Sequence, residues 1–532
     1  MPLKNKKRFV GPTAVCWAAL LLCGSSGYAQ QASPAPLAEP TITIQRFVVD
    51  GDNPLSAAET SALLAPFTGE NRGISDIEKA ASALERAMRD RGFAFHRMFV
   101  PEQKPVAGEI RLQVIAFKLG TVEVSGNQKF TTDNIRRSLT SLKEGETPEV
   151  QVLGRDITAS NNNPSKQIAV TFKESAEPGK VDAVVRVQDS PTLIFFTTLT
   201  GNQSLAGSGS VPENNTYRIS GGVQHSNLFD RDQVATLSYT TDPAYINNVS
   251  LFGAFYQVPL YGTGMNISAS YTRSDINSGQ VQQGAGVFDV SGSGRFYGIR
   301  LSRALNRIDA LQQTVAVGLD DRLFNNSTTF NGAQIQPDVG SRVLSLQYSF
   351  RNEPSWGDLA GSAEYVTNIG GGSHNTVASH ATNGGTKSWN AVRFSLEAAM
   401  SVAQWQYGGR IKGQLSGDPL IPGEQFGLGG SGSVRGFPDR VVSGDYGYSW
   451  SLEALGPAFD GYPIRPLLFV DGGNVHQKVA GISDNLMSAG AGLRLSYPNM
   501  QVALDLAQVI NRNNAQTSGR PLRMHLSASY RF

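Results

Sequence analysis

The stretch FGLGGSGSVRGFPDR, residues 426–440, concentrates glycine around a single arginine. Gly427, Gly429 and Gly432 stand in the spacing G-x-G-x-x-G, which cradles a pyrophosphate when it follows a strand and opens a helix. No helical pattern follows Gly432, so a nucleotide cradle fails its context. What remains is Arg435, between Val434 and Gly436 with Phe437 behind. A guanidinium presents a fixed fork of donors, and its best partner is a carboxylate taken bidentately. PLLFVDGGNV offers one: Phe469, Asp471 and Gly473 share one face of an alternating run. The remaining chemistry is thin. The six histidines are scattered, and His374 and His380 share a Gly/Asn/Ser loop with no carboxylate or cysteine beside them. No nucleophile elbow, acid dyad or Ser/His/Asp arrangement stands out. The expectation is no enzyme, no metal and no cofactor.

Elements must hold Arg435 and Asp471, and their organisation begins at the N-terminus. Lys4, Lys6, Lys7 and Arg8 precede a short apolar run, Ala14 to Cys23, and Gly27-Tyr28-Ala29 supplies small residues for cleavage. Residues 1–29 read as a signal peptide, with Gln30 opening the exported chain. Both cysteines, Cys16 and Cys23, leave with it, so no disulfide is expected. A formal net charge of +2 over 532 residues argues against nucleic acid as a partner.

After a short segment, 30–40, the chain repeats a plan. TITIQRFVVDGDN and LGTVEVSGNQ each run as a strand into a turn, at Gly51 and at Gly126-Asn127, about 75 residues apart. GEIRLQVIAF and GKVDAVVRVQD close the two units. In the first unit Ile77, Ala80, Ala81, Leu84 and Met88 follow helical spacing with Ser75 as the expected cap; in the second, Thr132 is the expected cap and EVQVLGRDITASNNN is a poorer helix. Residues 41–117 and 118–190 are therefore expected to be two strand-helix-helix-strand-strand modules.

From residue 191 to 532 the period becomes two. In MHLSASYRF, Met524, Leu526, Ala528, Tyr530 and Phe532 alternate with His525, Ser527, Ser529 and Arg531. Tyr446, Tyr448, Trp450 and Leu452 alternate likewise with Ser449, Ser451 and Glu453. Such runs begin near Leu193, Tyr217, Val234, Val249, Met265, Gly294, Gln313, Arg342, Asp358, Ala391, Trp405, Tyr446, Arg465, Met487, Met500 and Met524. Export, outward aromatics and the lack of helices point to a closed barrel in lipid, because a sheet there must leave no edge unpaired. NLFDRD, PLYGTG, NEPSWG and YPNM read as short turns on the side of the modules, and the longer connections point the other way. The arginine loop joins the eleventh and twelfth runs. Either it is a solvated hairpin, or it folds into the lumen, where Arg435 requires a carboxylate such as Asp471.

The motifs taken together carry a likeness. FGLGGSGSVRGF resembles the sixth-loop VRG[YF] motif (Val434, Arg435, Gly436, Phe437) of two-partner-secretion outer-membrane transporters, the haemolysin secretion/activation family. FVDGG resembles their F-x-D-x-G strand motif (Phe469, Asp471, Gly473), and Tyr530 and Phe532 resemble a barrel-assembly signal. The resemblance implies two polypeptide-transport-associated (POTRA) domains followed by a sixteen-stranded transmembrane β-barrel in the outer membrane. It also implies a function, secretion of a large β-helical exoprotein without ATP, after capture of that partner's N-terminal secretion domain. Outer-membrane lipid and the barrel-assembly machinery are the other implied partners. Family members often carry a plug helix before the first module; QQASPAPLAEP is too short and proline-rich for one. An insertase of the same superfamily and a passive porin with periplasmic domains are the alternatives. The cargo could be a haemolysin, adhesin, contact-dependent toxin or haem-binding protein.

Overall fold

The computed structural model describes residues 41–532, apart from 206–214, 245, 247–249, 276, 284–285, 327–328, 331–332, 335 and 514–521. The signal peptide, Cys16, Cys23 and the segment expected to lack a plug helix lie outside the described residues.

The first module runs β1 (Ile42–Ile44), β2 (Arg46–Gly51), α1 (Ala57–Leu64), β3 (Gly69–Arg72), α2 (Ile74–Asp90), β4 (His96–Phe99) and β5 (Glu109–Ala116). Its three-stranded sheet has the order β2-β5-β4, with β2 and β5 parallel, while β1 pairs separately with β3. The second runs β6 (Lys118–Ser125), α3 (Thr132–Ser138), α4 (Val150–Asn161), β7 (Lys166–Glu174) and β8 (Lys180–Asp189), in the order β6-β8-β7. The repeat is visible at its turns. Gly51 has φ +90° and a Cβ there would stand 2.2 Å from Val114 O; Gly126 has φ +86° and would stand 2.3 Å from Val187 O. Both turns need a residue without Cβ and tolerant of positive φ.

Helix starts differ from expectation in detail. Thr131, not Thr132, caps α3 by accepting from the Asn134 N–H. Gly73, not Ser75, precedes α2, and its N–H donates to Asp76 at 3.1 Å, so the reciprocal half of the cap is carried by aspartate. The segment expected to be the poorer helix forms twelve residues of α4, because Leu153 packs into the core of Leu119, Ile135, Ile168 and Val185. Tertiary burial overrides propensity there.

Sixteen strands close the barrel. In order they are β9 (Leu193–Ser204), β10 (Thr216–Leu228), β11 (Gln233–Thr241), β12 (Ser250–Leu260), β13 (Met265–Ser274), β14 (Gly294–Ala304), β15 (Gln312–Phe324) and β16 (Val339–Asn352). There follow β17 (Gly357–Ile369), β18 (Asn390–Val402), β19 (Trp405–Ser416), β20 (Tyr446–Leu455), β21 (Ile464–Gln477), β22 (Ile482–Ser496), β23 (Met500–Asn513) and β24 (Leu522–Arg531). Each begins within about five residues of its expected start, since register parity fixes which face is apolar. β24 pairs with β9 to seal the ring, and Phe532 N–H adds a bond to Phe195 O at 2.8 Å. One connection breaks the expected polarity of lengths: residues 478–481, between β21 and β22, form a tight turn on the side away from the modules.

The second module is joined to the barrel through buried polar groups. Lys166 Nζ donates to Asp232 at 2.6 Å and to Asn134 at 3.1 Å, with Phe130 beneath it. Tyr261 OH donates to the same Asp232 oxygen at 2.9 Å, and Asn163 donates to Ser226 O at 2.6 Å. Burial pushes the Lys166 ammonium below the usual lysine range, with Asp232 opposing that shift. These contacts place the turns 229–232 and 261–264 beside α3 and α4, fixing the orientation of the barrel relative to the second module.

Candidate functional site

The connection from β19 to β20, residues 417–445, turns inward and crosses the lumen. Three sets of contacts hold it. At its start Leu420 and Ile421 are fully buried, Leu420 with Val343, Val366 and Trp389, Ile421 with Phe324 and Val339. Glu424 follows, with its side chain out of solvent, and accepts from Arg322 on β15 at 2.8 Å and from Arg393 on β18 at 3.0 Å. Asp445, at the far end of the loop, accepts from the Leu420 N–H at 2.7 Å, closing the base.

The second set is centred on Arg435, which is 4 % exposed. Its Nε and Nη2 donate to the two oxygens of Asp471 at 2.7 and 2.8 Å, and its own backbone N–H donates to Asp471 at 3.1 Å. Nη1 reaches Asp505 on β23 at 3.2 Å, and Nη2 stands 2.7 Å from Glu453 on β20. The guanidinium lies 3.5 Å over the ring of Phe469. Ser451 donates to Asp471 at 2.7 Å, and Arg494 takes the rest of Asp505. The arginine therefore meets carboxylates from three strands and stacks on a fourth group, an arrangement that suits its planar fork and not a lysine.

The third set lies at the seam between the first and last strands. The Gly436 N–H donates to His525 Nε2 on β24 at 2.9 Å, Asn202 on β9 donates to Phe437 O at 3.4 Å, and Arg218 on β10 pairs with Asp439 at 3.4 Å. Val434 and Phe437, both fully buried, pack with Leu428, Val475, Leu486 and Val509. The glycines serve close approach. A Cβ at Gly430 (φ +87°) would stand 2.1 Å from Asp439 Oδ1, and one at Gly473 would stand 2.9 Å from Leu428 of the loop.

Residues 184–495, more than half of the chain, match the family described as Haemolysin secretion/activation protein ShlB/FhaC/HecB, and residues 42–116 match a ShlB-type POTRA domain. The chain belongs to the haemolysin secretion/activation family. It is thus an outer-membrane transporter of the two-partner-secretion type, with its POTRA domains in the periplasm. The outer membrane transporter CdiB of Dickeya dadantii (strain 3937) is 23% identical over 448 residues, covering 82% of this chain and 77% of the relative. CdiB from Escherichia coli superposes with a TM-score of 0.75 at 17% identity, covering 94% of this chain and 93% of that one. CdiB from Acinetobacter baumannii gives 0.71 at 17% identity, over 93% and 90%. The porin alternative lacks this family membership.

Val434, Arg435, Gly436 and Phe437 thus meet Phe469, Asp471 and Gly473 in the lumen, whereas Tyr530 and Phe532 stand apart at the periplasmic end, their rings 4.7 Å apart. Sequence reasoning missed Glu424, Arg322, Arg393, Asp505 and Arg494 as members of the site. Their signal was parity: each carboxylate or guanidinium on a strand falls on its lumen-facing register. His380, set aside as a metal ligand, is buried and bonds Gly340 O at 2.9 Å, and no metal-ligating cluster occurs among the described residues.

Proposed function

We propose that this family member secretes a large, unfolded β-helical exoprotein from periplasm to cell surface without ATP. In this reading residues 41–117 and 118–190 are the two POTRA modules and 191–532 the conducting barrel. The modules capture the partner's N-terminal secretion domain by strand addition at an open sheet edge. The edge strands β2 and β4 of the first module, and β6 and β7 of the second, support that mode. Tyr530 and Phe532 serve recognition by the barrel-assembly machinery, and the outward apolar face contacts lipid.

The observation that carries the role of the loop is the bidentate Arg435–Asp471 pair, which pins the segment inside the lumen. The chain passes only if that segment is held in a defined working position and yields to cargo. Arg435→Ala and Asp471→Ala should each reduce export of the partner while the barrel still assembles and shows heat-modifiable migration. Undiminished export by both variants would remove the loop from the mechanism. An insertase would be distinguished by loss of other outer-membrane proteins in the same variants.

A further inference from the structure

Around the outer wall, at the end away from the modules, charge breaks into the apolar face. Arg273 on β13 and Arg295 on β14 are directly opposite in register, Arg273↔Arg295. Both are exposed, and both share the outward parity of the lipid-facing Ile267, Tyr297 and Ile299. One step toward the membrane centre lies the Tyr271–Tyr297 pair, ring centroids 4.9 Å apart, with Phe252 beside Tyr271. That places the two guanidinium groups just above an aromatic belt, at headgroup depth.

Like charges directly opposite each other on antiparallel strands repel. Elsewhere on this rim an outward arginine has its carboxylate: Arg342 takes Asp321 at 2.6 Å. The carboxylate nearest in sequence, Asp275, is engaged by Ser250. Among the described residues, neither Arg273 nor Arg295 has an ion-pair partner, and neither is withdrawn from the surface. Two forks roughly 5 Å apart at their Cβ atoms fit one tetrahedral dianion between them. On the outward face of an outer-membrane barrel, such anions are the phosphates of the phosphorylated glycolipid filling the outer leaflet.

We propose that Arg273 and Arg295 form a lipid-binding site on the barrel wall, taking a phosphate monoester of that glycolipid while its acyl chains run down the face of Ile299 and Leu301. The site rests on the outer-membrane location and orientation, not on the cargo or the loop. It ties strands β13 and β14 to the leaflet and neutralises a repulsion that no ion pair among the described residues relieves.

Purified full-length chain is reconstituted with bisphosphorylated lipid A, its phosphate-free counterpart or phosphatidylglycerol, and lipid retained per folded barrel is counted by native mass spectrometry. Lipid A should be retained in preference to both other lipids. Arg273→Gln/Arg295→Gln should cut retention by about tenfold or more, the scale of losing two charge-assisted bonds. Arg303→Gln, an outward arginine at the opposite end of β14, should leave it unchanged. Equal retention of phosphate-free lipid or phosphatidylglycerol by the unmodified protein overturns the site without recourse to any variant. So does undiminished retention by the folded double variant, an equal loss in Arg303→Gln, or displacement of the lipid by inorganic phosphate alone.

Discussion

Removing Arg435 and removing Asp471 should not be equivalent, and the asymmetry follows from what each leaves behind. Without the arginine, Asp471 stays fully buried with Ser451 as its one remaining side-chain donor, whereas Asp505 still has both bonds from Arg494. An uncompensated buried charge costs about 3–5 kcal/mol. Without the aspartate, Arg435 keeps Asp505 and Glu453, so the cost is a lost bidentate bond, about 1.5–3 kcal/mol. In the double variant the stranded carboxylate is gone, so its loss should fall short of the sum by at least the Asp471→Ala cost, about 1.5–3 kcal/mol.

Hydrogen exchange at Gly436 measures this directly, because its N–H is bonded to His525 only while the loop is docked, whereas the Arg435 N–H also loses its own acceptor in Asp471→Ala. At 1.4 kcal/mol per decade, Arg435→Ala should speed exchange of the Gly436 N–H by roughly 10²–10³-fold. Asp471→Ala should give about 10–10²-fold, and the double variant no more than Arg435→Ala. If Asp471→Ala loosens the loop as much as Arg435→Ala, or if the two effects add, the buried-charge argument is wrong.

Other consequences are as specific. Lys166→Met strands Asp232 with Tyr261 as its remaining donor across the module–barrel junction, and should speed exchange in α3 by about 10²-fold without unfolding either part. Gly430→Ala meets Asp439 Oδ1 at 2.1 Å in a left-handed backbone, and should raise exchange across 429–440 by about tenfold, a cost of about 1–3 kcal/mol. The junction should also be acid-sensitive. Burial alone would raise the Asp230 carboxyl, but bonds from Thr131 and Asn227 hold it below the usual carboxylate range. A lowered folded value means the contact contributes fully above the ordinary aspartate pKa, about 3.9, and is lost as pH falls below it. A spin-label distance between α3 and the turn 229–232 should therefore hold steady from neutral pH to about 5 and broaden below about 4; broadening already near 6 would assign the effect to another group.

How much of this was legible depends on how far each contact reaches along the chain. Strand positions come from parity, a two-residue rule, so Leu193, Met265 and Trp405 open strands where the alternation opens. The modules come from helical spacing and a turn glycine, which are also local; what failed there was the choice of cap, Ser75 for Gly73 and Thr132 for Thr131, a matter of one or two residues of fray. The short turn at 478–481 was misread because loop length by polarity is a tendency, and a β-turn can close either end.

The loop is different in kind. Arg435 and Asp471 could be matched because each is odd in its own place, a charge among glycines and a carboxylate beside an aromatic. Glu424 meets Arg322 across 102 positions, and Gly436 meets His525 across 89. Neither Arg322 nor His525 is odd locally, since polar residues on the lumen face of a strand are what parity prescribes. Which of them face one another is decided by closure of sixteen strands and the stagger between them. Lumen partners on a barrel wall are thus readable as a set from alternation, while their pairing needs the ring. By the same reasoning the outward arginines Arg273 and Arg295 stood unnoticed in sequence: each interrupts an apolar face once, and only their register places the two interruptions side by side.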